Sequence, residues 1–550
     1  MDEAARRHEL HREMRAAGFR PDRAASNVHL FVGERRTAGR NVAISIGFLD
    51  LEFTRLPVAK LLDPDREAPD VVAHLDNCGG LCFARHGDVV LDRYDIQGSV
   101  QLCVRLVDQG LERTLTHKRL QDEVAQEFQQ HWDGATFFYD LQTEAAHLAW
   151  FTKLPDDVWA LRRSGPLPQR LGGPKSVKKK NKENAVVISV NSELTFQHGQ
   201  GRPETLAEFL AFCESGGYAN RSEVVRLVTD GRALKEFVFL HAPNGCVGIR
   251  IMPSDVQRRS GFRPVTPIDR VKTRPETCEV TRLSGSAADL PHIFERNMHD
   301  QKPLTATNIT LIGCGTIGSH LAKMLVQSGA GHLGGRLLLV DNQSLAPGNI
   351  GRHYLGPIHI GAPKAEALKS ELQRCFPDCE IIAVSNEALG AVGMYNKDDL
   401  VIDATGEEAL AIALNDHLFG GQAARLHVAL FGNGAAAQAL LVDGDEYACY
   451  RCLKTIDGKQ WRYDPMKPGN APEERAAACG EGNFIPYAVA APSMAAGVAL
   501  RLALDWRSGD PSRRLRTLQI DKKLASNIDD KNPKKLKDCP ACEAYRVRTV

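Results

Sequence analysis

Three glycines, Gly313, Gly315 and Gly318, stand between the apolar run NITLIGC and the amphipathic run SHLAKMLVQSG. Glycines in that setting permit a tight strand-to-helix turn and close approach of a phosphate, which the free N–H groups and positive dipole end of the helix can bind. Taken alone the loop suits a dinucleotide as well as a triphosphate. Asp341 closes the next apolar run, RLLLVD, where a carboxylate accepts hydrogen bonds from ribose hydroxyls. Asn349, Arg352 and Lys364 follow in NIGRHYL and GAPKAEAL. Hydride transfer has no need of such a cationic cluster, and triphosphate chemistry does. Asp403 ends DDLVIDATG, a strand end facing the same crevice. A carboxylate there can hold Mg2+ between phosphates, although a strand-terminal Asp also serves as a helix N-cap.

The cysteines offer two further chemistries. Cys449 and Cys452 in CYRC, with Cys539 and Cys542 in CPAC, supply four thiolates for tetrahedral Zn2+ and leave no open coordination position, so the site reads as structural. Cys479, in the glycine-rich ERAAACGEGNFIPYAV, has the setting a nucleophile needs, near helix ends and away from an apolar strand. Cys82 follows Gly-Gly-Leu in HLDNCGGLCFARHGD, with Cys78 just before it. Cys103, Cys213, Cys246, Cys278, Cys314, Cys375 and Cys379 lie in apolar or helical contexts, and most are expected to be buried small hydrophobes.

The elements that must position these residues fall into three parts. Residues 1–150 read as an α+β domain: a charged helical start, the strand-like runs NVAISIGF and LDLEFTRL, then the helical patterns SVQLCVRLVDQGL and LQDEVAQEFQQHW. Residues 151–290 read as a middle α+β piece with strands AVVISV, FVFLHA and CVGIRIM around the helical TLAEFLAFCESGG, and with no motif of their own. Within it, the Pro-, Gly- and Lys-rich stretch 165–185 reads as an exposed spacer. Residues 291–550 alternate strands and helices, which implies a doubly wound, largely parallel, Rossmann-like sheet with ligands at the carboxyl ends of its strands. The whole is thus of the α/β class.

With 69 basic against 68 acidic residues and a net charge of +1, nothing global draws the chain to nucleic acid or to a membrane surface. No apolar run is long enough to span a bilayer, and MDEAARRHELHREMRAAG is not a signal peptide, so a cytoplasmic protein is expected. In that compartment fourteen cysteines speak for metal and thiol chemistry rather than disulfides.

From about residue 290 to 545, the GCGTIGS loop, VDNQSLAPGNIGRHYL with its Asn-x-x-Arg, the following Lys364, the IDATG strand end and the paired CxxC motifs resemble the ThiF/MoeB and ubiquitin-activating adenylation family. The resemblance implies binding of ATP and Mg2+ and attack by a protein's C-terminal carboxylate on the α-phosphate. It also implies transfer of the acyl group to Cys479, and a homodimer in which an arginine from an N-terminal helix, here Arg296 in HIFERNMHD, reaches the partner's ATP. The segment around Cys82 resembles the active-site region of ubiquitin-conjugating (UBC) enzymes, which implies a thioester on Cys82. It departs from that pattern in that His74 is followed by Leu75 rather than Pro, which bears on any oxyanion role of His74 or Asn77.

The order of a conjugating-like domain, a middle domain and an activating domain resembles the fusion enzymes of bacterial CBASS antiphage operons. That implies a CD-NTase whose C-terminus is joined to target amines, and a JAB-type protease that reverses the bond. A ubiquitin-like protein of another bacterial operon is the other candidate substrate. Two readings compete: a sulfur carrier adenylyltransferase of the ThiF/MoeB type, for which Cys82 is dispensable, and a non-catalytic protein with a degenerate nucleotide fold, against which the nearly complete set of polar site residues argues.

Overall fold

The structure is a computed structural model. It describes the chain except residues 1, 23–27, 86, 117–119, 142–147, 155–157, 164–167, 172–181, 254–265, 456–457, 459, 471, 477–482, 511 and 544–550. It divides into two compact units, residues 1–167 with 171–289, and residues 290–550 with 168–170. Most of the basic stretch 165–185 therefore lies outside the described residues.

The first unit opens with α1 (Glu3–Ala16), capped by the Asp2 carboxylate, which accepts the Ala5 N–H, and seated by the buried Leu10 and Met14. An antiparallel meander follows, of β1 (Arg20–Pro21), β2 (His29–Thr37), β3 (Arg40–Phe48), β4 (Val58–Leu61) and β5 (Gly80–Leu81), with α2 (Pro64–Glu67) between the last two. Helix α3 (Ile96–Thr116) presents Ile96, Val100, Cys103, Val107 and Leu111 on one stripe, the helical repeat of a core-facing surface. That stripe shares one core with Phe31, Ile44 and Ile46 of the meander. The strand expected for LDLEFTRL does not form. Asp50 accepts both the backbone N–H and the hydroxyl of Thr54, and Phe53 takes φ +56°, so the segment loops back while Leu51 and Phe53 stay buried.

Helices α4 (Leu120–Gln126) and α5 (Phe128–Trp132) lead into a closed seven-stranded barrel. Its strands are β6 (Ala135–Asp140), β7 (Leu148–Lys153), β8 (Trp159–Arg162), β9 (Lys182–Ser189), β10 (Phe237–Ala242), β11 (Gly245–Pro253) and β12 (Cys278–Ala287). They close in the order β10-β11-β12-β6-β8-β7-β9. The domain boundary expected at residue 150 thus falls inside β7.

Strand alternation splits the barrel residues between two cores. Ala185, Val187, Phe237 and Phe239 join Phe137 and Phe151 in an aromatic cluster. Val186, Ile188, Val238 and Leu240 join Trp132, Phe209 and Phe212. The last two belong to α6 (Leu206–Ser215), whose start is fixed by a capping box between Thr205 and Glu208. Helices α7 (Arg221–Thr229) and α8 (Pro267–Thr273) complete this layer.

The second unit, after α9 (Leu290–Glu295), is the expected doubly wound sheet. Its strands are β13 (Ile309–Ile312), β14 (Leu337–Val340), β15 (Ile381–Val384), β16 (Leu400–Asp403), β17 (Ala424–Phe431), β18 (Ala436–Val442) and, beyond the short pair β19 (Arg475–Ala476) and β20 (Asn483–Phe484), β21 (Leu515–Gln519). They lie in the order β15-β14-β13-β16-β17-β18-β21, parallel through β17 and antiparallel beyond it. Helices α10 (Thr316–Gln327), α11 (Lys364–Cys375) and α14 (Ala490–Ser508) join Leu337 and Leu339 in one core. On the other face α12 (Val392–Tyr395) and α13 (Glu408–Leu418) share a core with Leu338 and Val340. The strand order reverses beside β13, which opens the crevice where such folds bind ligands. No helix among the described residues is long and apolar enough to cross a membrane.

Candidate functional site

The crevice is a cleft of about 810 Å3, lined by the glycine loop, Asp341, Arg352, Thr405, Glu407 and Tyr487 among others. The loop is glycine for steric reasons. Gly313 has φ +86°, and a Cβ there would sit 2.8 Å from the Thr405 methyl; a Cβ on Gly318 would meet the Gly313 carbonyl oxygen at 1.8 Å. A Cβ on Gly315 meets no protein atom within 4 Å. That glycine keeps open the face turned to the cleft, just where α10 begins without a side-chain cap. Uncapped N–H groups and a cradle that one methyl would narrow fit a phosphate.

Asp341 spends its carboxylate on the loop itself, accepting the Cys314 N–H at 2.7 Å and the Gln343 N–H at 2.8 Å. Arg352 donates from Nη1 to the Ile485 carbonyl at 3.3 Å and lies 4.7 Å from the Tyr487 ring centre, while its Nε is buried without a hydrogen-bond partner. Tyr487 in turn hydrogen bonds Thr316 at the start of α10, at 3.0 Å. The chain just beyond Cys479 therefore forms one wall of the cleft. Cys479 itself falls outside the described residues, between β19 and β20, which pair antiparallel.

Three expected site residues stand back from the cleft. Lys364 is buried and donates to the Gln343 side chain at 2.6 Å. Asn349 caps its own turn, accepting the Ala346 N–H at 3.0 Å. Asp403 does not line the cleft: one carboxylate oxygen accepts the backbone N–H (3.1 Å) and hydroxyl (2.7 Å) of Thr405, and the other faces His427 Nδ1 at 3.0 Å. Buried and so partnered, it supports the wall instead of facing phosphates, and the carboxylates that do line the cleft are Asp341, Glu387 and Glu407. Arg296 is exposed just after α9, its N–H bonded to the His292 carbonyl.

The four cysteines of the CxxC pairs converge. Cys449 lies 3.8 Å from Cys452, 3.8 Å from Cys539 and 3.7 Å from Cys542, and Cys452 lies 3.7 Å from Cys542, sulfur to sulfur. A tetrahedron with Zn–S bonds of about 2.3 Å has edges of about 3.8 Å, so the donor set fits Zn2+.

In the first unit Cys82 is exposed on a pocket of about 420 Å3 shared with His74, Glu127 and His131. Its N–H donates to the His74 carbonyl at 2.8 Å. His74 sits at φ +65°, and its ring is held between Glu123 (3.0 Å from Nε2) and Glu127 (2.9 Å from Nδ1). His131 Nε2 lies 3.5 Å from Glu127, and burial lowers the pKa of that imidazole. Asn77 bonds Asp133, away from the thiol's own contact with Ala84. Cys78 is also exposed. Of the cysteines expected to be buried, Cys375 alone is exposed, while burial pushes Cys103, Cys213 and Cys379 up to about 12 and leaves them inert thiols.

Comparison with known proteins agrees with both halves of this geometry. Residues 287–541 match the ThiF family and residues 7–137 match prokaryotic E2 family B. The chain is 31% identical to an ATP-dependent ubiquitin transferase-like protein Cap2 of Pseudomonas aeruginosa, over 90% of this chain and 91% of that protein. It belongs to the Cap2 family. The Cap2 of Escherichia coli (strain TW11681) is 23% identical over 94% of this chain and 93% of its own. The adenylyltransferase and sulfurtransferase MOCS3 of Drosophila persimilis is 27% identical over 34% of this chain and 38% of its own.

Several residues of the Cap2-family chain that build these sites carried no motif in the sequence. Glu123, Glu127 and His131 follow one another at intervals of four in LQDEVAQEFQQHW, a helical face whose charge pattern could have drawn attention. Glu387, Tyr487 and His427 gave no such signal, because each reaches its site only through the tertiary fold.

Proposed function

We propose that this chain activates the C-terminal carboxylate of a protein with ATP, carries it as a thioester first on Cys479 and then on Cys82, and conjugates it to target amines. The observation that carries the reading is the presence in one chain of a phosphate-ready glycine-loop cleft and an exposed cysteine on a pocket of its own. Within the cleft, the α10 N-terminus and Arg352 stabilise phosphate charge, and the carboxylate oxygen of the substrate attacks the α-phosphorus as pyrophosphate leaves. Glu387 and Glu407 provide oxygen donors suited to Mg2+, which when bound would neutralise phosphate charge. The Cys479 thiolate then attacks the acyl carbonyl and AMP leaves. The Cys82 thiolate attacks next and the Cys479 thiolate leaves. An amine nitrogen finally attacks the Cys82 thioester, the Cys82 thiolate leaves as the amide forms, and the amine proton goes to solvent or to the His74–Glu127 group beside the pocket.

The CBASS setting makes a CD-NTase the protein activated and a JAB-type protease the reversing enzyme, with a homodimer formed through the adenylation half. Intact-mass measurement without reductant tests the relay, on full chain incubated with Mg·ATP and the purified CD-NTase of the same operon. The expected result is a reducible adduct on wild type, absent from Cys479→Ala and retained on Cys479 in Cys82→Ala. An adenylate with no thioester on any variant overturns the relay and favours the sulfur carrier reading, in which Cys82 is dispensable.

A further inference from the structure

Asp403, although turned from the cleft, is one link in an unbroken set of contacts between the cysteine knuckle and the glycine loop. Tyr450 is the residue after Cys449 in the first CxxC, and its backbone N–H donates to the Asn415 side chain at 3.0 Å, which anchors the main chain there. Its ring centre lies 4.5 Å from that of His427, and Trp461 closes the other side at 5.7 Å. His427 stands opposite Asp403 in the β16–β17 ladder and is almost fully buried. Its Nε2 has no hydrogen-bond partner and borders a cavity of about 20 Å3, so its single directional bond is the one from Nδ1 to Asp403. Asp403 holds the Thr405 N–H and hydroxyl, and the Thr405 hydroxyl oxygen accepts the Glu407 N–H at 3.2 Å. Thr405 is the residue on which Gly313 rests.

We infer that His427 is a positioning residue of the nucleotide site: held by Tyr450 of the knuckle, it fixes Asp403, which fixes the Thr405 turn that backs the glycine loop. Phosphate binding then depends on a residue that touches no substrate. The cysteine knuckle, besides closing the domain, sets the shape of the cleft. A bond to a buried carboxylate is short and directional in a low-dielectric site, so its loss is felt at both ends of the chain of contacts. The inference rests on the adenylation reading for its role in catalysis, but its contacts are read out by nucleotide binding alone.

The test is Mg·ATP affinity by calorimetry on the full chain, with zinc content measured for every variant. His427→Asn, whose side-chain N–H can donate where Nδ1 does, keeps affinity within about 2-fold, and His427→Leu loses about 10-fold or more with zinc retained. Because leucine leaves a buried carboxylate without its donor and can unfold the domain, the deciding comparison is Tyr450→Leu, Thr405→Ala and the double variant. Each single change lowers affinity about 3- to 10-fold, and the double lowers it no further than the larger single. A double variant whose loss is the product of the two singles overturns the inference, as does a His427→Leu chain that binds Mg·ATP like wild type. ATP–pyrophosphate exchange is followed separately. Its absence from a wild type that binds Mg·ATP overturns the adenylation reading and leaves the binding cycle to decide His427.

Discussion

His353 shows how closely single side chains beside the cleft are specified. Its ring is buried, Nδ1 accepts the Leu355 N–H at 3.0 Å, and Nε2 donates to the Cys314 carbonyl at 2.8 Å. Only the neutral tautomer makes both bonds, and burial lowers the pKa to about 4. The unfolded chain, with an ordinary value of 6.5, binds the proton first as pH falls. Stability from this group is therefore complete above about pH 6.5 and lost on the way down to about pH 4, a loss of about 2 kcal/mol at about pH 5. Urea unfolding of wild type and His353→Gln at about pH 7 and about pH 5 checks it: the glutamine variant, which cannot titrate, should lose less by that amount. At this scale the sequence was legible where a residue type answers a local geometry, as with Gly313, Gly318 and the paired cysteines. It was silent where a side chain's direction decides, because nothing local to DDLVIDATG tells that His427 and Thr405 will draw Asp403 inward, or that Lys364 will bond Gln343.

Elements were legible wherever periodicity and packing agree. The stripe of α3, the helix α6 and the run of β13 to β18 all lie where the pattern put them. LDLEFTRL has the alternation of a strand, yet the Asp50–Thr54 bonds and a left-handed Phe53 make it a loop. The barrel was invisible because its closure needs parallel partners far apart in sequence, β6 with β12 and β9 with β10. The Cys82 loop depends on such a distant tie. Residues 74–82 are anchored to α4 and to the joint between α4 and α5 by the His74 ring between Glu123 and Glu127 and by the His74 N–H, which donates to Glu127 at 3.0 Å, and these bonds help to sustain the left-handed backbone at His74. His74→Ala should therefore speed amide hydrogen exchange at Cys82 and Gly80 about 10-fold or more while β3 amides keep their protection. Unchanged exchange at Cys82 would show that the loop holds itself, through Asp76, whose carboxylate accepts the Cys78 and Gly80 N–H groups.

The molecule as a whole joins two units with separate cores, and the cysteine knuckle belongs to only one of them. Cys449 and Cys452 lie about ninety residues before Cys539 and Cys542, so a bound Zn2+ closes a loop that contains Cys479, the Tyr487 wall, α14 and β21. Closing a loop of that length removes much freedom from the unfolded chain, and metal that binds the folded form alone adds its binding energy to stability. Each unit has hydrophobic cores of its own, the condition for it to unfold as a cooperative body. Calorimetry should then resolve two transitions. A chelator that removes one zinc per chain should lower the transition of residues 290–550 by many degrees and leave that of residues 2–289 in place. Re-addition of Zn2+ should restore the first transition together with Mg·ATP affinity, since the knuckle carries Tyr450. A shift of both transitions by the same amount would mean that the units unfold as one body, and an unmoved second unit with zinc gone would mean that the four thiols pack without the ion.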